Sequence, residues 1–357
     1  MATAAPPTPA TSNPATTTLP LSEPVPVGPN GIIGRTVPWE DSLRLPVTGK
    51  QPAWYSPATG RSEAIGGLPA DGSGYQFTRV GGGWAVQADA AAKTACGDCA
   101  GPPRPVWFLA DGAQSATRVG TADLVAPAVG NRALWLTSYP AAADPGAAAG
   151  VAREVSGTGA LLAPPVTLPP GYAIDQATDR GLLLTSASQQ AGTAVYTLWD
   201  PASPASSRTF DGVIAASATE IAWTSRCAPT TCRVQTLNLA TGRQTAIALP
   251  ARSTAANAAF SPTGAFLALQ LSDSLDGALA MRLDVASVAD GRLTPVPGTS
   301  VSSDALFSFG WPTSSDSLVA EFNFMPIMQL ASWHPGAGRL AVSVIQPGPT
   351  EASLIVG

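Results

Sequence analysis

The stretch Leu237-Asn238-Leu239-Ala240-Thr241-Gly242-Arg243 is an apolar segment that ends in a tight turn. The same pattern recurs along the chain at 54–61, 107–112, 198–203, 283–291 and 333–338, with a degenerate copy at 155–159. Gly60 and Gly338 mark the first and the last of these turns. Successive turns lie about 46 residues apart on average, so the chain contains an internal repeat of that period.

A second pattern lies upstream of each turn, where another turn leads into an apolar strand. It occurs at 81–86, 130–136, 179–184, 219–223, 260–268 and 311–320. Two hairpins in a period of about 46 residues are typical of a four-stranded propeller blade. Residues 31–357 have room for seven such repeats. The sequence therefore predicts an all-β fold, a seven-bladed β-propeller with four-stranded antiparallel blades, over residues 31–357.

The two ends of the chain differ from the repeats. Residues 1–30 are mostly Pro, Thr, Ala and Ser, which predicts a disordered tail or stalk with little apolar surface to bury. Such a segment fits an ordinary mobile tail, or a stalk whose upstream anchor is absent from the sequence given. The apolar run 352–356 follows the last repeat, and the first repeat is short. We predict that this run pairs into the first blade and closes the ring.

Composition excludes two classes of partner. Charged residues make up 12% of the chain, against roughly 25% in a typical soluble domain. Lys and Arg number 19 against 24 Asp and Glu, a net charge of −5, and Lys50 and Lys93 are the two lysines. This balance lacks the basic surface that nucleic-acid-binding proteins need. No apolar run approaches the ~18 residues of a membrane span. We expect no nucleic-acid partner, no membrane span and a monomer.

Several segments resemble known propeller families. Residues 260–268 and 311–320 resemble the F-S-P-D-G-x-x-L-A signature of TolB-like propellers, and 198–200 and 238–243 resemble the turn region of WD repeats. Thr263 replaces the Asp of the signature, and a single His cannot supply the repeated Gly-His element of WD proteins. The resemblance covers roughly residues 31–357. With its Pro/Thr stalk and cysteine pairs, the chain is similar to exported actinobacterial propellers of unassigned role.

The four cysteines form two close pairs, Cys96 with Cys99 and Cys227 with Cys232. Both pairs span turn-forming residues that can bring two Cα atoms within disulfide distance. Two local disulfides would imply an oxidising compartment, so we expect an extracytoplasmic protein, secreted or at the cell surface. A tetra-thiolate zinc site and free thiols are the alternatives. The two pairs stand far apart in sequence, on repeats predicted to lie at opposite sides of the ring, which disfavours a shared metal.

Residue types that carry chemistry are sparse. The only histidine, His334, falls in a predicted surface turn, and Gly81-Gly82-Gly83 lacks the following helix of a dinucleotide-binding loop. We expect no catalytic, cofactor-binding or metal-binding residues and no cofactor. Propeller glycosidases use two carboxylates, however. The candidates for such an acid pair near the central channel are Glu40, Asp41, Asp89, Asp175, Glu220, Asp304 and Glu321.

Two functions therefore stay open. The first is a non-enzymatic binding or scaffold propeller outside the cytoplasm, which presents the loops of one face to a protein or cell-envelope partner. The long, dissimilar loops at 88–105 and 139–150 mark that face, because binding concentrates on variable loops of a rigid scaffold. The alternative is a hydrolase or lyase that acts on a glycan or lactone through carboxylates near the channel.

Overall fold

β-Strands, formed by short apolar runs that are separated by turn residues, make up nearly all the described secondary structure. The computed structural model describes residues 27–28, 31–32, 39, 41–47, 52–69, 74–88, 102–140, 144–186, 195–228, 231–275, 278–302, 306–312, 316–324, 327–336 and 341–345. In that part of the chain, one short 3₁₀ turn, Pro204–Ser206, accompanies the strands. No helix among those residues is long and apolar enough to cross a membrane.

The strands are named in chain order. The first ten are β1 Val27–Gly28, β2 Gly31–Ile32, β3 Leu45–Val47, β4 Ala53–Ser56, β5 Arg61–Ala64, β6 Tyr75–Val80, β7 Gly83–Ala88, β8 Arg104–Ala110, β9 Thr117–Ala122 and β10 Leu124–Pro127. The next ten are β11 Ala133–Ser138, β12 Val151–Ser156, β13 Val166–Thr167, β14 Tyr172–Thr178, β15 Gly181–Ser186, β16 Val195–Trp199, β17 Arg208–Asp211, β18 Val213–Ala216, β19 Glu220–Ala228 and β20 Thr231–Asn238. The last ten are β21 Gln244–Ala248, β22 Ser253–Phe260, β23 Phe266–Leu275, β24 Ala278–Ser287, β25 Leu293–Pro295, β26 Val301–Ser302, β27 Leu306–Gly310, β28 Leu318–Phe324, β29 Ile327–Trp333 and β30 Ala341–Ile345.

Strands β3 to β30 pair antiparallel into seven sheets, which we call blades 1 to 7, and β1 pairs with β2 in a separate two-stranded sheet. The blades are β3–β5, β6–β9, β10–β13, β14–β17, β18–β21, β22–β26 and β27–β30. In blade 6, β25 and β26 both pair with β24 and share its outer edge. The seven-bladed all-β prediction is confirmed. Blade 1 has three strands in the described part of the chain, and the run 352–356 predicted to complete it lies outside the described residues.

Seven buried apolar clusters hold the blades together, one at each junction between neighbours. Alternation along a strand creates them, since successive side chains point to opposite faces of a sheet. In β28, for example, Leu318, Ala320 and Phe322 pack in the cluster shared with blade 6. Val319 packs instead with Leu45 of blade 1. Blade 7 therefore contacts blade 1, and the ring is closed by side-chain packing.

The tryptophans belong to these junctions. Trp54 of blade 1 and both Trp84 and Trp107 of blade 2 lie in one buried cluster, and Trp84 is fully buried. Trp135 and Trp199 share the cluster between blades 3 and 4. All five stand on strands and pack between neighbouring blades. None of these five side chains forms an exposed aromatic platform.

Candidate functional site

The strand order gives the ring two different faces. Connections between first and second strands, and between third and fourth strands, lie on one face, which we call the turn face; it includes residues 81–82 and 111–113. Connections between second and third strands, and from blade to blade, lie on the opposite face, which we call the loop face; it includes residues 139–150 and 212.

Hydrogen bonds join neighbouring blades across the turn face. The amide of Arg132 donates to the carbonyl of Gly81 at 2.6 Å, and the amide of Asp179 donates to Ala218 at 2.8 Å. These bonds connect the turns of blades 2 and 3 and of blades 4 and 5. Main-chain groups therefore join these neighbouring blades on the turn face.

The two long loops predicted from the sequence have their roots at one point of the loop face. Asp123 lies in the connection from blade 2 to blade 3, and its carbonyl accepts from Arg104 at 2.9 Å and from Gln87 at 3.4 Å. Its carboxylate accepts from the amide of Tyr139 at 2.7 Å. Gln87 and Arg104 flank the first loop, whose residues 89–101 lie outside the described residues, and Tyr139 begins the second. Asp123 therefore connects the residues that flank the first loop to the residue that begins the second.

Tyr139 anchors the second loop to the next blade. Its ring is buried, and its hydroxyl donates to the carbonyl of Tyr172 in blade 4 at 2.9 Å. Burial and, to a lesser extent, the charge of Asp123 raise the pKa of Tyr139 to about 12. Further along, the amide of Gly171 donates to the carbonyl of Ala148 at 3.0 Å. The described residues of this loop therefore pack against blade 4 and form a structured part of the surface.

Exposed apolar side chains gather on the same face. The described residues contain five exposed large hydrophobic side chains, of which Leu124, Val151 and Val195 stand at the loop-face ends of their strands. Leu161 and Leu162 are the other two, and they follow the outer edge of blade 3. Leu124 is the neighbour of Asp123, and Val151 directly follows the second loop. The loop face therefore carries three of the five exposed large hydrophobic side chains of the described residues.

The predicted cysteine pairs are described only in part. Cys96 and Cys99 lie outside the described residues. Cys227 and Cys232 stand on β19 and β20, next to the pair Ala228–Thr231 that ends their hairpin on the loop face. Cys232 is disulfide-bonded, whereas the side chain of Cys227 is outside the described residues. The pairing of Cys96 with Cys99 and of Cys227 with Cys232 stays a prediction.

The candidate acids do not share one environment. First strands of neighbouring blades contact one another, β6 with β10, β10 with β14 and β18 with β22, so they surround the centre of the ring. Asp175 is at a bulge of the first strand β14, and it is the one acid that the described first strands carry. Desolvation raises the pKa of Asp175 although part of the residue remains exposed.

The other acids lie elsewhere. Glu220 and Glu321 are on second strands and buried, and Asp41 is exposed before β3. An oxygen of Glu220 accepts from Asn238 at 2.8 Å, and an oxygen of Glu321 accepts from Ser308 at 3.0 Å. Glu40, Asp89 and Asp304 lie outside the described residues. His334 is exposed in the turn after β29, as predicted.

A cavity of about 370 Å³ opens on the loop face beside blades 5 and 6. Its walls come from Asp211 at the end of β17, Gly212 in the connection from blade 4, Thr224-Ser225 and Cys232 in blade 5, and Thr254-Ala255 in blade 6. The cavity was not predicted from the sequence because four separate strands and one connection contribute to its walls. Bulges in the adjoining first strands, at Val213/Ala215 and Ala255/Asn257, bend the backbone beside it.

Comparison with known proteins identifies the fold. Neither protein-family models nor curated proteins give a match. Among solved structures, the chain is similar to a prolyl endopeptidase at 13% identity and a TM-score of 0.55, over 88% of this chain and 50% of that one. It is similar to prolyl oligopeptidase B from Galerina marginata at 10% identity and a TM-score of 0.50, over 84% and 48%.

TolB from Acinetobacter baumannii is also a structural neighbour, at 12% identity and a TM-score of 0.40, over 74% of this chain and 67% of that one. The chain spans about half the length of the two peptidases. Identities this low show the fold alone. The propeller predicted from the repeats is therefore confirmed, and its neighbours include TolB and the peptidases.

Proposed function

We propose that this protein is a non-enzymatic binding or scaffold propeller that acts outside the cytoplasm. It presents its loop face to a protein or cell-envelope partner. The observation that carries the proposal is the exposure of Leu124, Val151 and Val195 on that face, where Leu124 follows Asp123 and Val151 directly follows the second loop. The disulfide of Cys232 supports an oxidising location.

The rigidity of the surface supports the same proposal. Asp123 holds the roots of both loops, and Tyr139 ties the second loop to blade 4. A surface that is already ordered loses little conformational entropy when a partner binds.

Capture of a partner from envelope extracts by the purified chain tests the proposal. The variant Leu124→Ser/Val151→Ser/Val195→Ser should lose capture, because all three side chains are exposed and their loss leaves the core intact. The matched control is Leu161→Ser/Leu162→Ser, which removes equally exposed leucines from the outer edge of blade 3. Capture that survives the first variant and is lost in the second would contradict the choice of face.

Loop replacement provides an independent test. Residues 140–149 can be exchanged for an Asn-Gly turn while Tyr139 and Gly150, which pack against each other, stay in place. We expect the variant to fold, with a melting temperature lowered by the loss of the hydrogen bond between Gly171 and Ala148, and to lose its partner. If the loop variant still captures its partner, and capture is lost when the turns at Gly112 or Gly242 are altered, the binding surface is the turn face.

The alternative function, hydrolysis or elimination on a glycan or lactone, depends on Asp175. It is the acid on the described first strands, where a channel substrate would meet it. The proposed binding function predicts that the wild-type chain shows no turnover on a panel of glycans and lactones. If the wild-type chain does turn over such a substrate and Asp175→Asn does not, the enzymatic function is correct and the binding function is wrong.

A further inference from the structure

The strand register places two carboxylates on the facing surfaces of blades 3 and 4. Glu154 of β12 is paired with Trp135 of β11, so both side chains lie on one face of blade 3. Trp135 packs in a cluster with Trp199, so this face is the one toward blade 4. Asp211 follows Phe210, which packs on blade 5, and alternation along β17 therefore turns Asp211 toward blade 3. Both carboxylates border the space between blades 3 and 4, which we call the acidic cleft.

Aliphatic side chains contribute to both walls of the acidic cleft. Val195 is the register partner of Asp211 and shares its face of blade 4. Val166 packs against the cluster that holds Trp135, on the facing side of blade 3. Trp135 is buried, whereas Val166 is partly exposed and Val195 is 47% exposed. Solvent therefore reaches the outer part of the cleft, and its floor is packed.

The charge of the cleft is not balanced within the described part of the chain. Glu154 and Asp211 form no ion pair and no side-chain hydrogen bond among those residues. The two arginines of the same strands face other blades. Arg153 donates to a main-chain carbonyl of β9 in blade 2 at 3.1 Å, and Arg208 lies over the ring of Phe210, on the side of blade 5. Desolvation raises the pKa of Glu154, and a cation binds more strongly to a partly desolvated carboxylate than to one in open water.

The floor of the cleft also holds a hydrogen-bond donor that lacks an acceptor. Trp135 is 7% exposed, and its indole N–H is buried with no hydrogen-bond partner among the described residues. By contrast, Trp54 and Trp311 donate their indole N–H groups to carbonyls of neighbouring blades at 2.7 and 2.9 Å. A buried donor without an acceptor is costly. Because Trp135 lies on the cleft side of blade 3, a ligand in the cleft can supply that acceptor.

An arginine residue within a peptide matches these features. Its guanidinium forms two parallel hydrogen bonds to a carboxylate, a geometry that an ammonium group cannot reproduce. Its aliphatic stem fits Val166 and Val195, and its main-chain carbonyl can accept from Trp135. We propose that the acidic cleft binds an arginine residue of the protein partner, with the guanidinium on Glu154. The protein partner as source rests on the proposed function; the guanidinium site itself does not.

Titration with Nα-acetyl-L-arginine methylamide, which we call the arginine amide, tests the site. We expect saturable shifts of the backbone amide signals of Glu154 and Val166, and a downfield shift of the indole N–H signal of Trp135. The corresponding citrulline amide has the same shape without the charge and should bind at least about tenfold more weakly, because hydrogen bonds to charged groups are the stronger ones.

Substitution of the carboxylate provides the second arm. Glu154→Gln keeps the shape of the cleft and should weaken the arginine amide at least about tenfold. The matched control is Glu63→Gln, which removes an exposed carboxylate from β5 of blade 1 and should leave the affinity unchanged. The amide spectrum of each variant establishes that it is folded.

Four results would overturn the site. These are the absence of saturable shifts in the wild-type chain, an unchanged indole signal of Trp135, equal affinity for the citrulline amide, and equal affinity in Glu154→Gln. The first three are measured on the wild-type chain, so they do not depend on the folding of a variant.

The small probe separates this inference from the proposed function. If the arginine amide binds and partner capture proves independent of the loop face, the guanidinium site stands and the proposed function fails. If capture depends on the loop face and the arginine amide does not bind, the site fails and the proposed function stands.

Discussion

Substitution of Glu321 by glutamine should remove a pH dependence that this carboxyl imposes on the stability of the ring. Glu321 is fully buried on β28, on the side of the sheet that carries Val319 and faces blade 1. One carboxyl oxygen accepts from Ser308 at 3.0 Å, and the other is buried with no hydrogen-bond partner among the described residues. Burial raises the pKa of Glu321 from 4.5 to about 7, against a smaller opposing effect of the Ser308 hydrogen bond.

The sign of the effect follows from proton binding. Below pH 4.5 the carboxyl of Glu321 is protonated in both the folded and the unfolded chain, so it adds no pH dependence. As the pH rises, the unfolded chain releases this proton first, which favours unfolding until the folded pKa near 7 is passed. A rise from 4.5 to about 7 corresponds to about 3 kcal/mol, at about 1.4 kcal/mol for each pKa unit.

Urea unfolding followed by tryptophan fluorescence between pH 4 and pH 8 measures this quantity. The free energy of unfolding of the wild-type chain should fall by about 3 kcal/mol over that range relative to Glu321→Gln. The buried amide of glutamine has its own desolvation cost, but that cost does not change with pH. Glu63→Gln, an exposed residue of β5, is the matched control. Parallel curves for the wild-type chain and Glu321→Gln would refute the reasoning.

Three further predictions concern the junctions of the ring. Asp123→Ala should lower the free energy of unfolding by about 1–3 kcal/mol in urea, since it strands a buried donor, and should lower the pKa of Tyr139 in an absorbance titration. Thr263 donates to Asp316 of the next blade at 2.8 Å, so Thr263→Asp should lower the melting temperature through repulsion between the two carboxylates. Added salt should restore part of the lost stability, and an equal loss at all salt concentrations would contradict this cause. Deletion of residues 350–357 should lower the melting temperature by several degrees, and an unchanged melt would refute closure through the C-terminal strand.

The repeat could be recognised in the sequence because its turns require a positive φ, a backbone conformation that few residues other than glycine adopt. Gly60, Gly112, Gly242 and Gly291 all have φ between +67° and +72° in equivalent turns. Glycine reaches that region without the steric cost of a β-carbon. The turn glycines therefore recur even where the strands around them have diverged, and their spacing gave the blade count.

Irregularities within the blades, namely the β-bulges and the long hairpin of blade 6, were not predicted from the sequence. Four first strands carry a bulge, yet small neutral residues such as Ala215 and Ala255 surround two of them and give no local signal. The long hairpin of blade 6 pairs as far as Leu275 with Ala278, although its Ser- and Asp-rich end is typical of a loop. The Asp276-Gly277 dipeptide there is a strong hairpin signal that could have identified it.

The two faces differ for a reason that lies in the turns. Gly82 has φ +70°, and a β-carbon there would collide with Asn131 of the next blade. The amide of Arg132 in turn bonds to Gly81. Turns that meet this closely leave little room for insertion or for larger side chains. The loop face has close contacts as well, because a β-carbon on Gly150 would collide with Tyr139 and one on Gly171 with the carbonyl of Gly146. The faces differ instead in the length of their connections: the second loop runs from 139 to 150, whereas the turn between β6 and β7 consists of residues 81 and 82. Long loops on a rigid scaffold tolerate substitution, and that freedom is what a surface needs to become specific for a partner.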